Sequence, residues 1–369
     1  MVQESKNSCV VQVLSFKSMR LRPWCVFAML VVWGCAGSVP AWGEPPAALQ
    51  QGTSNVLSYF KSISGRFVIS GIHNREPNSQ PTLQTAQLAA QVGRYPALWS
   101  GDFLFSAQDI SNRWTMIREC RNQWNQGAIV QLMMHVAPPN QPEVCAWNGG
   151  VLSHLSDPEW RDLITGGGGL NKVWKARLDG YAVYLDYLKQ NGVQVLFRPF
   201  HEMNQTRFWW GGRKGPEGTA KLYRLTHDHL VGTRGVTNLI WEWDMQDMSR
   251  DFSEYNPGED YWDIFAFDVY SGGYDDSWYE YALRIAGNKP MGIGECAELP
   301  TTKTLASQPR WCFFMSWAEL TFSHNPKQQL LDLYHSSNVI TRERLPRFRN
   351  GPAPLTKAED GAPQGGVLQ

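Results

Sequence analysis

Three features of the chain predict an α/β protein built as a (β/α)8 TIM barrel. They are eight short apolar runs, helical patterns between them, and polar side chains where the runs stop. A doubly wound parallel sheet is the alternative. The first four runs are RFVISGIHN (66–74), PALWSGDFLF (96–105), AIVQLMMHVAPP (128–139) and VQVLFRPFHE (193–202). The others are TNLIWEWDMQ (237–246), WDIFAFDVYS (262–271), KPMGIGECAE (289–298) and RWCFFMSWAE (310–319). They lack strict alternation, which suits parallel strands buried on both faces. Trp174, Leu178, Tyr181, Leu185 and Leu188 recur at spacings of four and three, forming one apolar helical stripe. Asn191-Gly192 stops that helix, and Val193 opens the fourth run. Thr82 to Val92 and Trp114 to Trp124 are similar amphipathic stretches. Gly166–Gly169 is expected to be a flexible surface insertion, because a phosphate cradle would need a following Lys-Ser/Thr. A single domain is expected across residues 44–346.

The two ends have different compositions. Arg20 and Arg22 precede the apolar stretch Pro23–Ala36, and Ala41-Trp42-Gly43 offers a small-x-small cleavage site. Residues 1–43 are therefore expected to be a signal peptide, with Met19 as an alternative start. This directs the protein to the periplasm or the exterior; lipoprotein anchoring at Cys35 is the weaker alternative. The apolar stretch is too short for a stable membrane span. Residues 347–369, rich in Gly, Pro and Ala, are expected to form a disordered tail. Net charge is zero and no basic run occurs, which argues against a nucleic-acid partner. Cys120, Cys145, Cys296 and Cys312 lie beyond the leader. Cys120–Cys145 is a plausible disulfide, whereas Cys296 and Cys312 can serve as small buried residues. The 17 tryptophans have two readings, core filler or flat faces for sugar rings.

A barrel presents reactive groups at the C-terminal ends of its strands. Those ends carry His73, Asp102, His135, His201 with Glu202, Glu242 and Asp244, Asp268 and Tyr270, Glu295, and Trp317. Glu202 closes the fourth run and Glu295 the seventh, nearly opposite each other across a barrel mouth. Glycoside hydrolysis needs such a pair, one carboxyl protonated and the other ionised. Phe200, His201 and Phe208–Trp210 would desolvate Glu202 and favour its acid form. Tyr270 could donate to Glu295 and hold it ionised, and Arg198 could add a stabilising charge. Trp209 and Trp210 are candidate sugar-binding aromatics. A single strand-end glutamate more often belongs to an ordinary salt bridge; the pair at the fourth and seventh runs, beside sugar-stacking aromatics, points to catalysis.

The motifs RPFHEMN followed by FWWG, and GIGECAE, resemble the acid/base and nucleophile motifs of glycoside hydrolase family 26. The similarity runs from SGRFVISGIHN to VITRERLP. The resemblance implies a retaining barrel enzyme, foremost an endo-β-1,4-mannanase acting on mannan or galactomannan by double displacement. It implies Glu202 as acid/base, Glu295 as nucleophile, and His201 as a sugar ligand that orients Glu202. FDVY implies Asp268 and Tyr270 as active-site residues, Tyr270 touching the nucleophile. MMHVAPP implies a substrate-binding role for His135 near the −1 position, and FMSW implies Trp317 as the platform beneath the −1 sugar. The chain departs from the family pattern at Arg207, where an aromatic is common, and at Cys296-Ala297.

Other motifs point elsewhere and fail on their own terms. HEMNQ begins like a zinc-protease helix but has Gln205 in place of the second histidine. His227-Asp228-His229 could ligate a metal or sit on a solvated helix face. GIGECA fits a nucleotide fingerprint that should open a helix, yet Pro300 and Pro309 make one doubtful there. No metal or cofactor is expected, since two carboxyls suffice. The expected partner is a polysaccharide or oligosaccharide, bound by a monomer. β-1,3-Xylan or mixed-linkage β-glucan are alternative substrates, and a non-catalytic glycan-binding barrel is the remaining reading.

Overall fold

The computed structural model of the protein describes residues 55–348. The expected leader and all but the first two residues of the expected tail lie outside them. Those two residues, Arg347 and Phe348, pack on the domain. Arg347 Nη1 donates to the Asn125 carbonyl at 2.9 Å, and Phe348 sets its ring edge-on against Tyr59.

Each apolar run contains a strand: β1 (Val68–His73), β2 (Leu98–Asp102), β3 (Ile129–Met133), β4 (Val195–Arg198), β5 (Leu239–Gln246), β6 (Ile264–Val269), β7 (Met291–Cys296) and β8 (Trp311–Ser316). Neighbouring strands pair in parallel around the ring, and β1 bonds to both β2 and β8. That closure leaves no free edge and rules out the open doubly wound sheet. A short ninth strand, β9 (Val339–Ile340), adds to β1 outside the ring.

Side chains alternate between the inside and outside of the barrel. Along β3 to β6 the inward residues are Ile129-Gln131-Met133, Leu196-Arg198, Ile240-Glu242-Asp244 and Ile264-Ala266-Asp268. The lower inward positions are apolar and pack with the first helix, Val56–Ile63. Asn55 caps that helix by accepting from Leu57 and Ser58, and Val56, Tyr59, Phe60 and Ile63 form its buried stripe. Higher up the interior is polar. Ser100 Oγ lies 2.8 Å from His73 Nδ1 and donates to Gln131 at 2.8 Å; Gln131 donates to Glu242 at 2.8 Å. Burial pushes the Glu242 carboxyl up to about 7.

Three expectations change. Gly166–Gly169 is no flexible insertion: Gly169 opens the helix Gly169–Gln190, and Asp162 accepts from the Gly169 and Leu170 N–H groups at 3.0 and 2.6 Å. A further helix, Asp157–Ile164, precedes it with a reciprocal Ser156–Glu159 cap, a signal visible in the sequence. Second, Pro300 and Pro309 flank a helix rather than prevent one. Thr301 caps Thr302–Ser307 by accepting from Thr304, so each proline falls outside the ladder it would break. Third, all four described cysteines are free. Cys120 is buried within the helix–sheet core, while Cys145 sits in the loop after β3, its N–H bonded to the Phe105 carbonyl. Cys296 and Cys312 are small buried residues.

Candidate active site

β4 ends at Arg198 because Pro199 has no N–H for the ladder. Four residues later Glu202 adopts φ 48°, a left-handed conformation unusual for a side-chain-bearing residue. Its N–H donates to Asp244 Oδ1 at 2.6 Å. The backbone strain is thus held by a buried carboxylate on the next strand. The conformation turns Glu202 back over the mouth.

The Phe208–Trp210 row stands behind this turn. Trp209 Nε1 donates to the Val136 carbonyl at 2.8 Å and Trp210 Nε1 to the His201 carbonyl at 3.0 Å. Trp210 stacks on Phe208 at 4.5 Å, and His201 lies against Phe208 and His135. Trp209 is only 1% exposed and Trp210 is fully buried, so neither offers a face to a sugar. Both indole N–H groups are spent on backbone, Trp209 beside His135 and Trp210 at His201. Trp147, 38% exposed, faces the mouth instead, as Trp317 does. It lines a cavity of about 410 Å³ with Phe105, His135, Trp317, Asp102 and Arg75. Its position in the polar, glycine-flanked loop CAWNGG was the available sequence signal.

Glu295 comes from β7, directly beside Asp268 of β6. Its Oε1 accepts from Arg198 Nη1 at 2.6 Å and its Oε2 from the Tyr270 hydroxyl at 2.8 Å. Arg198 also donates through Nε to Asp244 at 2.8 Å and through Nη2 to Asp268. One guanidinium therefore ties three buried carboxylates from β5, β6 and β7. This crowding explains the GxG of GIGECA, which lies inside β7 rather than at a helix start. A Cβ on Gly294 would stand 2.6 Å from both Asp244 Oδ2 and Asp268 Oδ1, and one on Gly292 would enter the Phe313 ring.

Carboxylate oxygens of Glu202, Asp268 and Glu295 lie within 4.8 Å of one another. Burial, then the charges of Glu295 and Asp244, hold the Glu202 carboxyl well above the usual range. Burial also raises Glu295, but Arg198 opposes the shift by charge and hydrogen bond. No donor reaches the Glu202 carboxyl among the described residues, whereas Glu295 has two. The first proton shared by the pair therefore belongs to Glu202. Burial likewise raises Asp268, against the pull of Arg198. The three oxygens could contact a cation, but the fixed charge of Arg198 already sits on Asp268 and Glu295 and opposes a second one.

The opposite wall completes the mouth. His135 bonds Asp102 through Nδ1 at 2.5 Å and through its own N–H at 2.9 Å. Burial works against the Asp102 charge, but His135 brings its pKa down to about 2. Trp317 stacks on buried His73 at 4.4 Å with rings 16° apart. Burial lowers His73 to about 3 and His201 well below its ordinary value, so both rings are neutral at neutral pH. The expected residues Glu202, Glu295, His135, His201, Asp268, Tyr270 and Trp317 thus share one mouth, while Trp209 and Trp210 form its backing. Asp102, Trp147 and Asp244 complete the site. His227-Asp228-His229 stands apart: His229 pairs with Asp179 at 2.7 Å and His227 packs on Trp241.

Together these features define a closed parallel (β/α)8 barrel with two facing buried glutamates at its C-terminal mouth. The sequence model of glycosyl hydrolase family 26 matches residues 46–344, and the chain belongs to that family. It is 30% identical, over 82% of its length, to the mannan endo-1,4-beta-mannosidase A and B of Caldalkalibacillus mannanilyticus, and spans 63% of that protein. It is 28% identical to the mannan endo-1,4-beta-mannosidase of Thermothelomyces thermophilus, spanning 60% of it. The chain thus covers less than two thirds of either relative. Among solved structures, GH26A from Muricauda sp. is 33% identical with a TM-score of 0.75, covering 78% of this chain and 95% of that one. The Podospora anserina GH26-CBM35 β-(1,4)-mannanase is 26% identical with a TM-score of 0.67, covering 84% and 71%.

Proposed function

We propose that the chain is a retaining β-glycoside hydrolase, a β-1,4-mannanase acting on mannan or galactomannan by double displacement. The approach of the Glu202 and Glu295 oxygens to within 4.8 Å carries this reading. Retaining enzymes set their carboxyls about 5–5.5 Å apart, whereas inverting ones leave room for a water. In the first step Glu295 attacks the anomeric carbon while Glu202 gives its proton to the departing glycosidic oxygen. Glu295 becomes an ester, and its negative charge disappears. That charge is one cause of the raised Glu202 pKa, so Glu202 becomes more acidic as its role changes. As a carboxylate it then takes a proton from the water that displaces Glu295. Arg198 and Tyr270 hold Glu295 as an anion aimed at the sugar. Trp317, backed by His73, offers an apolar face to the −1 ring.

The substrate assignment rests on the relatives named mannan endo-1,4-beta-mannosidase. Release of reducing ends from mannan, galactomannan, mixed-linkage β-glucan and β-1,3-xylan tests it. Mannan and galactomannan should be cleaved, and Glu295→Ala should abolish cleavage. Products from the glucan or xylan alone would transfer the same chemistry to another polymer; no product from any would favour a binding module. All site residues come from one barrel, which supports a monomer, testable by light scattering. The basic-then-apolar N-terminal pattern supports export, and N-terminal sequencing of the mature protein should find the leader removed.

A further inference from the structure

The loop after β6 carries Tyr270, which reaches Glu295, and a residue outside the catalytic set holds that loop. Asp247, immediately after β5, is 2% exposed and has no cationic partner among the described residues. Its carboxylate accepts from the backbone N–H of Tyr270 at 3.0 Å, of Ser271 at 2.6 Å and of Gly273 at 2.8 Å. Its own N–H donates to the Asp268 carbonyl at 3.0 Å, joining the ends of β5 and β6. A Cβ on Gly273 would stand 2.9 Å from the Phe267 ring and 3.0 Å from the Asp247 Cβ and Oδ2, so the loop closes on this carboxylate only with glycine there. The far end of the loop is tied separately: the Tyr274 hydroxyl donates to the Glu298 carbonyl, and Gln308 donates to the Tyr274 carbonyl. Asp247 is thus the tie at the Tyr270 end.

We propose that Asp247 is a positioning residue, fixing the loop after β6 so that the Tyr270 hydroxyl meets Glu295. Three backbone donors converge on one buried carboxylate, where charge-assisted bonds are strong and directional. The hydroxyl at the other end of Tyr270 donates to Glu295 at 2.8 Å. This rests on the reading of Glu295 as nucleophile. Besides Tyr270, Glu295 faces Arg198 from β4, Glu202 beyond it, Asp244 from β5, Asp268 from β6 and His135 from the loop after β3. Asp247 acts on none of these directly except through the β5–β6 junction.

A double-mutant cycle on the full chain tests the proposal. Asp247→Asn and Tyr270→Phe should each lower kcat on mannan roughly tenfold to a hundredfold, the range of one lost hydrogen bond to a charged group. The double variant should be no slower than Tyr270→Phe alone. In all three, the acid limb of kcat/KM should move to higher pH, because Glu295 loses a donor that favours its anion. Gly273→Ala, which displaces the carboxylate without removing it, should move the limb the same way. It decides the matter if circular dichroism shows Asp247→Asn unfolded. Losses that multiply in the double variant, or an acid limb that stays at the wild-type pH, would overturn the proposal. Turnover by Glu295→Ala would instead overturn the nucleophile assignment. An inactive Glu295→Ala with independent Asp247 and Tyr270 effects would sink only the positioning role.

Discussion

At the scale of single residues, the site depends on how two glutamates of one kind are made unlike. Both are buried, and burial raises both. Of the two glutamates, Arg198 and Tyr270 bond only Glu295, so the anion stays there and the proton goes to Glu202. On the proposed mechanism, activity requires Glu295 ionised and Glu202 protonated. Because both pKa values are raised, the acid limb should lie above the ordinary glutamate range, and the basic limb should follow deprotonation of Glu202. Glu202→Ala should lose mannan hydrolysis by at least about a hundredfold, yet still form the glycosyl ester from an aryl mannoside whose leaving group needs no proton. A burst of released phenol checks this; full activity on mannan would reverse the assignment. The tryptophans separate in the same way. Trp147→Ala should raise KM with little change in stability, since its exposed face meets the cavity. Trp210→Ala should cost about 3–5 kcal/mol of stability, the usual toll of emptying a core site of that size. Urea melts beside steady-state kinetics distinguish the two. The sequence marked both indoles of the FWW run but could not say which tryptophan faces water. That depends on the partner available to each N–H, and here both partners are backbone carbonyls brought near only by folding.

At the scale of elements, β7 is shaped by what must lie beside it. Gly292 admits the Phe313 ring, and Gly294 admits two carboxylates from neighbouring strands. Gly294→Ala should therefore fail in activity before it fails in overall fold, because the added methyl displaces Asp244 and Asp268 from Arg198. Loss of at least about tenfold in kcat with circular dichroism retained is the expected result; wild-type kcat would show that the carboxylates can yield freely. The helix flanked by Pro300 and Pro309 carries a related lesson. Proline predicts where a ladder ends, but not whether the intervening stretch is long enough to make a turn of its own. Thr301 supplied the cap that decided it.

At the scale of the whole molecule, a polar layer crosses the barrel above an apolar base, and one member titrates near neutrality. Glu242 is raised by burial from 4.5 to about 7. Between those values the unfolded chain releases a proton that the folded protein keeps, so stability falls as pH rises through the window. The raised pKa costs on the order of 3 kcal/mol by pH 8 relative to pH 4. Glu242→Gln should keep the Gln131 bond and remove this part of the slope, which urea unfolding at pH 5 and pH 8 would measure; an unchanged slope would place the titration elsewhere. Among the described residues no helix is long and apolar enough to cross a membrane. The sequence by itself determined the eight strands, their parallel burial and the polar residues at their ends, because apolar runs and the points where they stop are local and survive in a linear chain. It also marked Glu202 and Glu295, since each lies where an apolar run stops. Only the tertiary structure decided that Arg198 joins three carboxylates, that Trp209 and Trp210 face inward, that the cysteines stay apart and that Asp247 holds Tyr270. Those are meetings of residues far apart in the chain, set by barrel closure and by the partner each buried polar atom finds.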